Sequence, residues 1–317
     1  MNNPMVEVVD LKKYFKVRTG MLHAVDGVNF KIMAGETLGV VGESGCGKST
    51  LGRVILKLLE PTAGKILING EDITQNTAKE MKKYRSDMQI IFQDPYSSLN
   101  PRMTVLELIA EPMIVNQTCP TNAEIQQRAR KMMDMVGLAG RLETAYPHEL
   151  DGGRRQRIGI ARALGLNPNF IVCDEPVSAL DVCIQAQILN LLMDLQDELK
   201  LTYLFITHNL SVVKHISDYI AVMYLGKCVE YAIEDELFAN PCHPYTKALL
   251  KAIPLPDVNI RFDKTKIIKG EVTSPVNPKP GCRFAARCEM CSDDCLKHDI
   301  PETVISPTHY VSCFKAG

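Results

Sequence analysis

Gly42-Glu43-Ser44-Gly45-Cys46-Gly47-Lys48-Ser49-Thr50 follows the apolar run Leu38 to Val41 and precedes a plausible helix at 51–59. It fits G-x-x-x-x-G-K-[ST] in full, in the strand–loop–helix setting that the pattern requires. Glycines let backbone N–H groups converge on phosphate oxygens, and a helix N-terminus favours anions. Lys48 then contacts the β- and γ-phosphates, and Ser49 offers its hydroxyl to Mg²⁺. The stretch predicts an α/β nucleotide-binding fold.

Other apolar runs extend this reading. Strands are expected at 5–9, 37–41, 65–68, 88–92, 170–173, 203–207 and 219–223, alternating with helices, as in a largely parallel sheet. A helix at 182–200 carries Ile184, Ile188, Leu191, Leu192, Leu195 and Leu199 at helical spacing. No convincing strand falls between 95 and 166, where helices are expected at 123–136 and 153–166, so this region reads as an inserted helical subdomain. After Asn240 prolines multiply and cysteines crowd, which puts a boundary there: a nucleotide-binding domain at 1–240 and an extension at 241–317.

The formal net charge of −1 argues against a nucleic-acid-binding protein. No run approaches the roughly 20 apolar residues of a membrane span, and residues 1–10 lack the marks of a signal peptide. A cytosolic chain that reaches a membrane through partners is expected. Of eleven cysteines, Cys282, Cys288, Cys291, Cys295 and Cys313 lie near the C-terminus. In a reducing compartment such a group more often holds a metal than disulfides.

Phe170 to Glu175 is an apolar strand ending in two acids. Asp174 suits a water-mediated Mg²⁺ contact, and Glu175 suits a base orienting the attacking water. The segment 147–164, with Leu150-Asp151-Gly152-Gly153-Arg154, resembles the signature segment of ABC transporter ATPases. Gln93 lies in a segment similar to the Q-loop, Ser178-Ala179-Leu180-Asp181 matches the D-loop, and Thr207-His208 matches the switch histidine. All occur in family order.

The resemblance implies a RecA-like parallel core sheet with an antiparallel β-subdomain and a helical subdomain. It implies ATP and Mg²⁺ as ligands, two cassettes closing head to tail, and coupling to transmembrane subunits. Phe15, or adjacent Tyr14, stacks on adenine. Gln93 joins Ser49 at Mg²⁺, His208 contacts the γ-phosphate and the attacking water, and Asp181 crosses the dimer interface. Asp151 stands where the family has serine, with Gly152 and Gly153 following. An ionised Asp cannot donate to a phosphate, and at ~4 Å and an effective dielectric near 20 the repulsion reaches about 4 kcal/mol per charge pair. Asp151 either caps the following helix, as Asp does well, or weakens the site built on the partner's phosphate loop.

His243-Pro244-Tyr245-Thr246-Lys247-Ala248-Leu249-Leu250 and the stretch Gly281-Cys282-Arg283-Phe284…Arg287-Cys288…Cys295…His309…Cys313 are similar to the extension found in importers of the oligopeptide, dipeptide and nickel group. Wording around the phosphate loop and at 94–102 resembles their second ATPase subunit type. The resemblance implies a heterodimer with the other ATPase, two permease subunits, an extracytoplasmic solute-binding protein and a place on the cytoplasmic face of the membrane. It maps the four family cysteines to Cys282, Cys288, Cys295 and Cys313 and favours a [4Fe–4S] cluster. The thiols alone also suit zinc, with Cys291 as a further candidate ligand. Soluble ABC proteins of translation or DNA repair usually carry paired cassettes or long coiled-coil inserts, and neither is present. Cys46 lies near a helix N-terminus, where a lowered thiol pKa and reaction with alkylating reagents are expected.

Overall fold

The computed structural model describes residues 3–252, Gly270 and 273–316. In chain order the strands are β1 (Val6–Val17), β2 (Gly20–Ile32), β3 (Thr37–Val41), β4 (Ala63–Ile68), β5 (Glu71–Asp72), β6 (Met88–Ile91), β7 (Phe170–Asp174), β8 (Thr202–Thr207), β9 (Tyr219–Tyr224), β10 (Lys227–Ile233), β11 (Thr303–Ser306) and β12 (His309–Val311). The α-helices are α1 (Lys48–Ile55), α2 (Pro95–Ser98), α3 (Val105–Val115), α4 (Asn122–Met135), α5 (Gly152–Leu164), α6 (Val182–Leu199), α7 (Leu210–Ile216), α8 (Glu234–Ala239), α9 (Pro244–Lys251) and α10 (Asp293–Lys297). Every expected strand and the expected helices are present, within a few residues. β1 runs well beyond the expected strand at 5–9, and β2, β5, β10, β11 and β12 are additional. Among the described residues no helix is long and apolar enough to cross a membrane.

The chain forms two compact units. The first comprises residues 1–32, 37–74 and 207–317. An antiparallel sheet here runs β2-β1-β4-β5, and a second runs β11-β12-β10-β9-β3, with β3 and β9 parallel. β3 is buried at all five positions, as expected of an apolar strand covered on both faces. Tyr245 of α9 and Phe284 of the tail join Val41, Val222 and Tyr224 in one buried cluster, with Cys282 and Cys288 packed against it. The described part of the tail therefore shares a core with the phosphate-loop strand.

The second unit comprises residues 33–36 and 75–206. It carries the parallel strands β6, β7 and β8, paired in that order. Between β6 and β7 the described chain is helical, and α3, α4 and α5 pack on one another. Thr104 caps α3 in a reciprocal box with Glu107, satisfying free N–H groups at its start. Lys200 ends α6 in the left-handed conformation.

Candidate functional site

The loop 42–50 leaves β3 and enters α1 through three glycines with positive φ: Gly42 at 155°, Gly45 at 77° and Gly47 at 106°. At Gly47 the restriction is also steric, since a Cβ there would lie 1.9 Å from the Ala24 carbonyl oxygen. Lys48 is only 4% exposed. Its Nζ donates to the Gly42 carbonyl at 2.7 Å and the Glu43 carbonyl at 3.0 Å. The ammonium is thus drawn back over the loop, at the N-terminus of a helix. Ser44 and Gly45 are exposed, whereas Ser49 and Thr50 are half-buried. Cys46 does not meet its expectation: it is buried, and burial pushes its thiol pKa up despite the charge of Lys48. The buried thiol therefore has the opposite shift to the one expected at a helix terminus.

In the same unit, His208, next to Thr207, is exposed. Phe15 is half-buried on β1, with the Lys13 ammonium 4.9 Å from its ring centroid. Tyr14 is engaged elsewhere. Its ring stacks on His23 at 3.8 Å, and its hydroxyl donates to Asp26 at 2.5 Å.

In the second unit, β7 ends in buried Asp174, followed by Glu175 with φ of 50°. Left-handed backbone at a non-glycine costs of order 1–3 kcal/mol and persists only where surroundings impose it. Here the Glu175 N–H donates to the Ile206 carbonyl at 2.9 Å, and Gln93 Nε2 donates to Glu175 Oε2 at 2.9 Å. Two of the three residues expected at the hydrolytic centre of this unit, Gln93 and Glu175, are thus in direct contact. Asp151 caps α5: its Oδ1 accepts from the Arg154 N–H at 2.8 Å, and Oδ2 lies 3.4 Å from Arg154 Nε. The carboxylate is occupied by its own helix, the capping alternative of the sequence reading. Gly152 and Gly153 open α5, and a Cβ on Gly153 would lie 2.7 Å from Ile184. Asp181 caps α6 through the Ile184 N–H at 3.1 Å.

Cys282, Cys288, Cys295 and Cys313 line one small cavity with His243 and Phe284. Cys291 is exposed and is not part of that lining. Burial pushes the Cys282 thiol up to about 11, aided by the neighbouring thiols. Burial also acts on Cys295, but hydrogen bonds from Ser292 outweigh it and lower that thiol. His243 Nδ1 accepts from the Tyr245 N–H at 3.0 Å, which puts the neutral ring's proton on Nε2. That Nε2 is buried without a partner among the described residues, and burial lowers the ring's pKa to about 4.

Among the described residues, the donor atoms of three potential ligands lie within 4.8 Å of one another at Glu230, Cys242 and His309. Glu230 is already engaged, accepting from the Cys242 N–H at 2.6 Å and the His243 N–H at 3.0 Å, with His309 Nε2 at 2.8 Å. This buried group ties β10 to β12 and to the start of α9.

Sequence reasoning missed the tail's contacts with the loop. Arg287 Nη1 and Nη2 donate to Glu43 Oε2 and Oε1 at 2.8 and 3.0 Å, and the Glu43 N–H donates to the Tyr245 hydroxyl at 2.9 Å. Arg283 reaches Asp26 and the Leu225 carbonyl. Burial pushes the Asp26 carboxyl up, but bonds from Tyr14 and His23 and the charges of Lys227 and Arg283 hold it below the usual range.

A glycine-rich loop closing on a buried lysine at a helix start defines a P-loop nucleotide-binding protein. Comparison with known proteins is more specific. Residues 25–178 match the ABC transporter family, and residues 229–295 match the oligopeptide/dipeptide transporter C-terminal region. The chain is 50% identical over 98% of its length to the oligopeptide transport ATP-binding protein OppF of Salmonella typhimurium, covering 96% of that protein. The corresponding protein of Haemophilus influenzae is 50% identical over 96% of this chain and 92% of its own length. Among solved structures, CbiO1 of Clostridium perfringens, part of the ABC transporter complex CbiONQ, superposes with a TM-score of 0.67 and 28% identity, over 75% of this chain and 92% of that one. A dimeric ATP-binding cassette in a post-hydrolysis state with ADP and phosphate gives 0.66 at 31% identity, over 73% and 99%. The chain belongs to the oligopeptide/dipeptide importer family of ABC transporter ATPases.

Proposed function

We propose that this chain binds and hydrolyses ATP to power import of di- or oligopeptides, working at the cytoplasmic face of a membrane. The observation that carries the ATP reading is the loop 42–50, with Lys48 Nζ held over it by two carbonyls at the start of α1. Relatives named as oligopeptide transport ATP-binding proteins, similar over nearly the whole chain, support the substrate class. The partners are two permease subunits, a second ATPase subunit and an extracytoplasmic solute-binding protein. In the assembled transporter, ATP turnover should rise with peptide-loaded binding protein, and labelled peptide should accumulate inside vesicles. Turnover indifferent to peptide would sink the import reading.

The residue roles follow phosphoryl-transfer chemistry, which needs positioning and charge stabilisation more than covalent help. Loop amides of 42–50 and Lys48 take the phosphates, and Ser49 and Gln93 take Mg²⁺. Glu175 and His208 orient the attacking water, and Asp174 acts on the metal through water. Phe15 stacks on adenine, the more available of the two aromatics because Tyr14 is stacked on His23. Asp151, Gly152, Gly153 and Asp181 face a second cassette.

Cys282, Cys288, Cys295 and Cys313 hold a [4Fe–4S] cluster in this reading, with zinc as the alternative. The donor chemistry fits: four thiols line one cavity, and an orphaned His243 Nε2–H is buried in the same lining. Bound there, the group would cross-link four points of the tail. Anaerobically purified protein should contain iron and acid-labile sulfide, both lost in Cys288→Ser. Colourless protein carrying zinc alone would remove the cluster.

A further inference from the structure

The two arginines that reach the nucleotide-binding unit's loops from the tail are each bonded in sequence to a cavity cysteine. Arg283 follows Cys282, and Arg287 precedes Cys288. Arg287 holds Glu43 with both arms of its guanidinium, and Nη1 also donates to the Tyr224 hydroxyl at 3.2 Å. Its side chain is 7% exposed and that of Glu43 27%, so this pair is far better shielded than a surface ion pair. Glu43 lies inside the phosphate loop, between Gly42 and the exposed Ser44. Its backbone N–H is fixed separately by Tyr245, whose ring packs with Tyr224 and Phe284. The carbonyl of the same residue accepts from Lys48. One loop residue is thus held at its side chain, its N–H and its C=O, and the side-chain hold comes from a residue bonded to Cys288.

We infer that Arg287 is a positioning residue for ATP: it keeps the phosphate loop in its binding geometry and transmits the state of the thiol cavity to that loop. The transmission half rests on the metal reading of the four thiols given above. Filling the cavity fixes the backbone at Cys288, hence the base of the Arg287 side chain. Emptying it loosens both, and the loop loses its preset shape. Affinity falls because ordering the loop must then be accomplished on binding. Arg287 touches no reacting atom, so the effect falls on binding and KM rather than on kcat.

The test uses the full chain, a fluorescent ATP analogue for Kd, steady-state phosphate release, and iron and zinc content measured on every sample. Arg287→Ala should raise Kd and KM about tenfold, the scale of a lost charge-assisted bidentate contact, with kcat within about twofold. Arg287→Lys should recover part of the loss. Glu43→Ala should match Arg287→Ala, and the double variant should be no worse than either. Cys288→Ser, with Arg287 intact, should lose metal and raise Kd to the same degree. Wild-type Kd in Arg287→Ala overturns the proposal; should that variant not fold, wild-type Kd in Glu43→Ala overturns it equally. Metal loss in Cys288→Ser with unchanged Kd overturns the transmission. A wild-type chain without metal sinks the metal reading and the transmission with it, while the Arg287 and Glu43 results still decide the positioning role.

Discussion

Replacing Glu175 with glutamine is expected to cut ATP turnover by about 100-fold or more while leaving ATP affinity within a few-fold of wild type. A positioned general base contributes roughly 10²–10⁴ to rate, and glutamine keeps the shape of the side chain while losing its basicity. The structure gives reasons to expect this clean separation. Glu175 follows the buried end of β7, and its strained backbone is pinned by the Ile206 carbonyl at 2.9 Å. Its carboxylate accepts from Gln93 Nε2 at 2.9 Å. A glutamine can keep that contact by offering its amide oxygen, so Gln93 stays placed. Phosphate release by purified protein, read beside an ATP titration, checks both halves. Turnover at the wild-type rate removes Glu175 from the role of base.

The parts legible in the sequence are those that local chemistry determines. Buried parallel strands must be continuous apolar runs, and β3, β7, β8 and β9 are nearly all buried residues. The loop glycines are required by positive φ, and the cap of α5 follows from Asp chemistry; the Asp181 cap of α6 was not read. The β1–β2 hairpin was hard to see because its strands alternate buried and exposed positions and carry many charges. Cys46 was misread because a helix terminus is visible in sequence, whereas the burial that outweighs it is a tertiary property. The grip of Arg287 on Glu43 spans 244 positions, and nothing local to either residue encodes it. The thiol cavity is intermediate. Its cysteines stand out by crowding, but only folding sets Cys291 outside and brings His243 in.

Lys48→Ala is expected to give the complementary phenotype: ATP affinity lowered by about 100-fold or more, with the fold intact. Truncating one partner of a buried charge pair costs roughly 2–5 kcal/mol, which corresponds to that range of affinity. Lys48 is 4% exposed, and its ammonium is the positive charge held directly on the loop carbonyls of Gly42 and Glu43. Alanine leaves those carbonyls facing the phosphate position with no cation to offset them, so repulsion adds to the lost attraction. The helix itself should survive, because alanine is a strong helix former and α1 is anchored by buried Leu51, Val54 and Ile55. Thermal melting separates this case from the first. A ligand that binds only the folded state raises Tm with its concentration. Saturating ATP should therefore raise Tm in the wild type and in Glu175→Gln, and have little effect in Lys48→Ala. A full ATP-induced rise in Lys48→Ala would mean that the loop amides alone hold the phosphates, and that the lysine acts on turnover instead.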